Sequence, residues 1–91
     1  MIEPIITYYR NGNINQIEFR ENGVKHRENG PAYIWYDAYG NKKMEEYFLQ
    51  GRNLTKRALR LISELGIDKD SKYWSYDDRE RFKFHFMLNL L

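Results

Sequence analysis

The sequence predicts an α+β fold: an antiparallel β-meander of about four to six strands over residues 4–50, then two C-terminal helices at about 53–65 and 75–90. Three observations predict it. Tyr8, Gly12, Asn13, Glu18 and Gly23 recur 28 residues later as Tyr36, Gly40, Asn41, Glu46 and Gly51, with Ile6 matched by Ile34 and Phe19 by Tyr47. A period of this kind marks a stacked or meandering supersecondary unit. Asn-Gly dipeptides punctuate the same half at Asn11-Gly12, Asn22-Gly23 and Asn29-Gly30, where both residues tolerate the positive φ of tight hairpin turns. After Gly51 the hydrophobic period changes from about 2 to about 3.6.

β-branched and aromatic residues place strands at 5–9, 14–19, 33–36 and 44–49. Alternation puts Ile6, Tyr8, Ile34 and Tyr36 on equivalent sides and makes Ile17 and Phe19, matched with Tyr47 and Leu49, a second inward set. Tyr9, Arg20, Trp35 and Phe48 are left on the other face.

Beyond Gly51, Leu54, Ala58, Leu61, Ile62 and Leu65 form one helical stripe, with Lys56, Arg57, Arg60, Ser63 and Glu64 opposite. Asn53 is expected to cap this helix and Gly66 to end it. The helix is expected to close the open end of the sheet. A polar connector over 67–74 leads to Tyr73-Trp74, and Ser75 with Asp77, Asp78 and Glu80 reads as the start of a second helix whose carboxylates suit the dipole. The tail carries two patterns. As a strand it aligns Phe82, Phe84, Phe86, Leu88 and Leu90; as a helix it has a wide apolar arc interrupted by Arg81, His85 and Asn89. The start signals and the Met, Leu, Arg and Lys content favour the helix.

The 91 residues make a single domain, with a sheet over 1–52 and a helical cap over 53–91. Eight Tyr, five Phe and two Trp supply core-building bulk that a chain of this length otherwise lacks. There is no cysteine, no stretch near the roughly 20 apolar residues of a membrane span and no signal-peptide pattern, so the expected location is the cytoplasm, with no membrane contact. Net charge is +2: residues 1–50 hold six Lys/Arg against seven Asp/Glu, and residues 51–91 hold nine against six. This asymmetry is far below that of a dedicated nucleic-acid binder.

Residues 26–32, His-Arg-Glu-Asn-Gly-Pro-Ala, followed by Tyr33-Ile34-Trp35-Tyr36-Asp37 and Tyr39-Gly40-Asn41, resemble the degenerate MORN-type repeat of bacterial, phage and large-DNA-virus proteins. Gly23, His26, Arg27, Gly30, Pro31, Ala32, Gly40 and Glu46 occupy its positions, and the resemblance covers roughly residues 8–53. One His-Arg to Gly-Pro-Ala block is complete. Where the next should begin, the chain gives Arg52-Asn53-Leu54-Thr55 and turns helical, so this looks like a two-copy version with its own cap. The resemblance implies an interaction scaffold without an active site. In its concrete form it implies a phage-encoded inhibitor of a host protein, such as a defence effector, working in the host cytoplasm.

The candidate chemistry is sparse. His26 and Arg27 can bind an anion or exchange protons, but bracing the turn at Gly30-Pro31 explains them as well. The same holds for Glu18 and Glu46: repeat symmetry and cross-strand pairing with Lys or Arg account for two carboxylates on neighbouring strands without catalysis. His85 has no motif around it, and Asp68, Asp70, Asp77 and Asp78 fit no cation loop. No cofactor or metal is expected.

Partner contacts are therefore expected from Tyr9, Trp35 and Phe48 on the sheet and from Arg52, Lys56, Arg57, Arg60, Tyr73 and Trp74 in the second half. The expected function is non-enzymatic protein binding, with homo-oligomerisation through the apolar C-terminal segment or a sheet edge. The alternative is a small nucleic-acid-binding protein using the basic helix face for phosphates and Tyr73 and Trp74 for base stacking.

Overall fold

The 28-residue repeat of the sequence is also a repeat of backbone geometry. A computed structural model describes residues 2–90. The first copy runs through β1 (Glu3–Tyr8), β2 (Ile14–Glu21) and β3 (Val24–Lys25); the second through β4 (Tyr33–Tyr36), β5 (Lys42–Glu46), β6 (Phe48–Leu49) and β7 (Arg52–Asn53). Both copies kink at the same place, with bulges between Thr7 and Tyr8 and between Trp35 and Tyr36. Their first turns close alike, through Tyr9 N–H to Asn13 O at 2.8 Å and Asp37 N–H to Asn41 O at 2.9 Å. Their second turns carry consecutive positive φ, 53° and 81° at Asn22-Gly23 and 51° and 81° at Gln50-Gly51. That pair of values defines the primed hairpin turn, which Gly enters without a Cβ penalty.

The main sheet is antiparallel in the order β1-β2-β4-β5, with β3 extending the pairing of β2, and β6 and β7 form a separate two-stranded ribbon. Register places Ile6, Ile17 and Ile34 in one cross-strand row that ends on Glu45. The repeat-equivalent of Ile17 is therefore Glu45, and the expected match of Ile17 with the Tyr47/Leu49 set is corrected. Burial across the row is also graded. Ile34 is buried, but Ile6 is 40% and Tyr8 61% exposed, because β1 is the sheet edge and the core lies at the opposite end. The neighbouring row, Ile5, Glu18, Tyr33 and Glu46, puts the two carboxylates on one face with Tyr33 between them. They are not on adjacent strands.

The expected single strand over 44–49 breaks at Tyr47, and the break shows how the array ends. In the first copy the Phe19 N–H donates to Ala32 O of the next repeat at 2.8 Å, and His26 N–H returns to Phe19 O. In the second copy Leu54 N–H returns to Tyr47 O at 2.7 Å, but no third repeat supplies a carbonyl. The Thr55 hydroxyl takes the Tyr47 N–H instead, at 3.0 Å. Thr55 is the first residue of α1 (Thr55–Glu64), so the helix begins where the next strand would have paired.

The N-cap of α1 is Leu54, without a side-chain cap bond. Asn53, expected in that role, stands one residue earlier and accepts the Thr55 N–H and hydroxyl through its Oδ1. The far end stops as expected: Gly66, at φ +69°, donates to Ser63 O, and Ile67 N–H reaches Ile62 O. These two bonds and the buried Ile62 and Ile67 side chains make a Schellman stop.

A single 3-10 turn (Ser71–Tyr73) precedes α2 (Tyr76–Met87), and a second (Leu88–Leu90) follows it. Ser75 and Asp78 form a reciprocal capping box, Asp78 N–H to Ser75 Oγ at 3.0 Å and Ser75 N–H to Asp78 Oδ2 at 3.1 Å. The helical reading of the tail holds: Phe82 and Phe86, one turn apart, are fully buried, while Phe84 is 67% exposed.

The principal core joins Tyr47 and Leu49 from the last hairpin, Leu54, Ala58 and Ile62 from α1, Ile67 and Trp74 from the connector, and Phe82 and Phe86 from α2. Aromatic rings dominate it. Phe82 lies 4.8 Å from Phe86, 5.0 Å from Trp74 and 5.7 Å from Tyr47, centroid to centroid. Each buried aromatic side chain contributes about 1.5–3 kcal/mol of transfer free energy, so this junction holds the helices to the sheet. Among the described residues no helix is long and apolar enough to cross a membrane.

Candidate interaction surfaces

The His26-to-Ala32 segment folds as the joint between the two copies. His26 is buried, and its Nδ1 accepts the Gln50 N–H of the second copy at 2.8 Å. That leaves Nε2 to donate toward Glu28 Oε2 at 3.3 Å, and so selects the Nε2–H tautomer of a neutral ring. Glu28 in turn faces Lys83 of α2 at 3.8 Å.

Arg27 stacks on the Phe19 ring with its guanidinium carbon 4.0 Å from the centroid, and donates to Asn29 Oδ1 and Pro31 O. Desolvation, then the neighbouring Arg79 guanidinium, lower its pKa to about 10. Gly30 makes this approach feasible, since a Cβ there would meet Arg79 Nη1 at 3.0 Å and Arg27 Cζ at 3.1 Å. Pro31 and Ala32 fill the buried space below.

The remaining polar candidates are tied into local structure. Glu18 pairs with Arg20 at 3.1 Å and with Lys25 at 3.7 Å, and the Lys25 ammonium lies over the Tyr33 and Phe48 rings at 4.9 and 5.0 Å. Glu46 accepts from Asn53 Nδ2, and forms no ion pair with a described Lys or Arg. His85 is exposed against Phe84 and makes no contact with His26. Asp70 binds Lys42, and that hydrogen bond holds its carboxyl below the ordinary range. Among the described residues no three His, Asp or Glu side chains converge.

Of the residues expected to meet partners, Trp74 is not available. It is buried between Phe82 and Arg79, with its indole N–H donating to Asp68 O at 2.6 Å. Its neighbour Tyr73 is 64% exposed. Tyr9 is half-buried, its hydroxyl donating to Tyr36 O at 2.8 Å, and Phe48 is half-buried beneath Lys25. Trp35 remains 38% exposed, beside Met44 in the next strand at 42%. Arg52, Lys56, Arg57 and Arg60 are all exposed. The first three line a shallow groove of about 610 Å³ with Asn53, Leu54 and Thr55.

A second groove, of about 640 Å³, runs along α2 between Phe84, Met87, Leu88 and Leu90, edged by Glu80 and Lys83. The sequence marks this segment as apolar, but alternation and helical period assign Phe84 to different faces. Only the docking of Phe82 and Phe86 into the core leaves Phe84 outside. Comparison with family models, characterised proteins and solved structures finds no match.

Proposed function

We propose that this protein is a non-enzymatic interaction module, a short MORN-type repeat pair closed by helices, which binds and occludes a protein partner. The α2 groove carries the reading: Phe84 and Leu88, 67% and 50% exposed, adjoin Met87 and Leu90 on one apolar strip. Contiguous apolar side chains of this kind mark contact sites on small soluble domains, and aromatic anchors dominate contact energies. Trp35 and Met44 on the open sheet face offer a second, smaller patch. The polar candidates support the same reading from the other side, because His26 is engaged in joining the repeats and Arg27 and Glu18 in bonds with neighbouring residues. The phage origin and the bacterial host target follow from the repeat resemblance, and the host cytoplasm is then the place of action.

The test is affinity capture from bacterial lysate with the wild-type chain and with the exposed-site double variant Phe84→Asp/Leu88→Asp, alongside mass measurement of the free protein. A stoichiometric partner, or a second copy of the chain, retained by the wild type and lost from the variant is the expected result. A lone monomer that captures nothing overturns the proposal.

A further inference from the structure

We infer that the basic face at the start of α1 docks an acidic segment, rich in Asp and Glu, of the protein partner. This rests on the interaction-module reading and supplies it with a second, electrostatic contact. Six other cations are neutralised locally: Arg20 and Lys25 share Glu18, Lys42 meets Glu45 and Asp70, Lys43 meets Asp37, Arg81 meets Asp77 and Asp78, and Lys83 meets Glu28. Arg10, Arg27, Lys69 and Lys72 lack an ion pair among the described residues, but they do not line the groove at the start of α1. Arg52, Lys56, Arg57 and Arg60 have no such counter-ion. Among the described residues none of the four lies within ion-pair distance of a carboxylate, and the only side-chain bond any of them makes is Arg57 to the neutral Asn89 amide at 3.0 Å. Glu64, one turn beyond Arg60, is exposed and does not close on it.

Geometry gathers the four charges. Lys56 and Arg60 are four residues apart, and Arg57 and Arg60 three, so the helix presents them together. Arg52 reaches the same groove from β7. Like charges held this close repel, and a ligand bearing several negative groups relieves that repulsion while steering its own approach. Three of the four are Arg, whose planar fork meets a carboxylate with two parallel N–H donors.

A carboxylate-bearing polypeptide fits better than nucleic acid. The charged strip is confined to two turns of α1 and the adjoining ribbon, whereas non-specific strand binding needs a groove that tracks several phosphates and aromatic faces on which bases stack. No aromatic side chain lines this groove: of the two rings expected to stack bases, Trp74 is in the core, and Tyr73, although exposed, is not part of the groove's lining.

The experiment is a fluorescence-anisotropy titration of the full chain against a labelled Asp/Glu-rich peptide, a neutral peptide of the same length and a single-stranded oligonucleotide, at two salt concentrations. The acidic peptide is expected to bind selectively, with affinity falling as salt rises. The Lys56→Glu/Arg60→Glu variant is expected to weaken binding by about tenfold or more. Arg10→Glu/Lys69→Glu, which changes net charge equally at exposed positions elsewhere, is expected to leave most of it. Absent peptide binding, equal weakening by both double variants, or tighter binding of the oligonucleotide overturns the inference. Phe84 and Leu88 take no part in this titration. Failure of the titration with a successful capture therefore overturns the basic-face contact alone, whereas failure of the capture overturns the module reading and the contact that rests on it.

Discussion

Gln50 donates its backbone N–H to Nδ1 of His26 at 2.8 Å, and this bond joins the turn of the second repeat to the motif strand of the first. Counting 28 residues on from His26 leads to Leu54, which is likewise buried and likewise returns its N–H to the preceding strand. A histidine is thus used where another copy must be held, and a leucine where a helix packs.

His26→Leu tests that distinction. Leucine fills a similar volume but cannot accept, so the part-buried bond from the Gln50 N–H is lost, at about 1 kcal/mol. Urea unfolding should show the loss as a lower midpoint with an unchanged slope. A midpoint within error of wild type would mean that the bond does not hold the copies together.

The Thr55 hydroxyl does the work of a missing strand carbonyl for Tyr47. Thr55→Val keeps the shape and removes the acceptor, and should destabilise by about 1–3 kcal/mol, whereas Thr55→Ser should stay within about 1 kcal/mol of wild type. Faster hydrogen exchange at the Tyr47 amide in the valine variant is the local signature. Equal protection in the two variants would refute the substitution of hydroxyl for carbonyl.

The two phenylalanines on either side of Lys83 should part company. Phe82→Ala empties the centre of the aromatic cluster and should lose about 3–5 kcal/mol, while Phe84→Ala at the exposed groove should change stability by about 0.5 kcal/mol or less. Nearby, the buried Tyr47 hydroxyl makes no hydrogen bond among the described residues, and burial raises its pKa. Tyr47→Phe should therefore be neutral or stabilising. A large loss in that variant would reveal a role for the hydroxyl.

Stability should fall in acid. The Asn41 amide holds Asp37 below the ordinary carboxyl range, the Lys42 side chain holds Asp70 there, and the Ser75 amide holds Asp78 there. Groups depressed in the folded state contribute stability that is complete above their unfolded pKa, about 4, and is lost as pH falls through the folded values. Thermal midpoints measured between pH 7 and pH 2 should hold steady to about pH 4.5 and then drop. Asp70→Asn should flatten part of that drop, and an unaltered profile would remove the Lys42 pair from its cause.

By itself the sequence determined the local geometry. Asn22-Gly23 imposes a primed turn, Gly66 stops α1, Ser75 with Asp78 starts α2, and the repeat spacing sets two equivalent hairpins. These are choices of backbone conformation made over a few neighbouring residues, so period and residue type suffice to read them. The tertiary structure alone decided what each face met. Trp74 and Tyr73 are adjacent, yet one is core and the other surface; Ile6 and Ile34 are repeat-equivalent, yet one is at an open edge and the other covered. Pattern sets Ile17 with Tyr47, whereas register sets it with Glu45. Burial depends on contacts between segments far apart in the chain, and the repeat symmetry that predicts the strands cannot say which end of the sheet the helices will pack against.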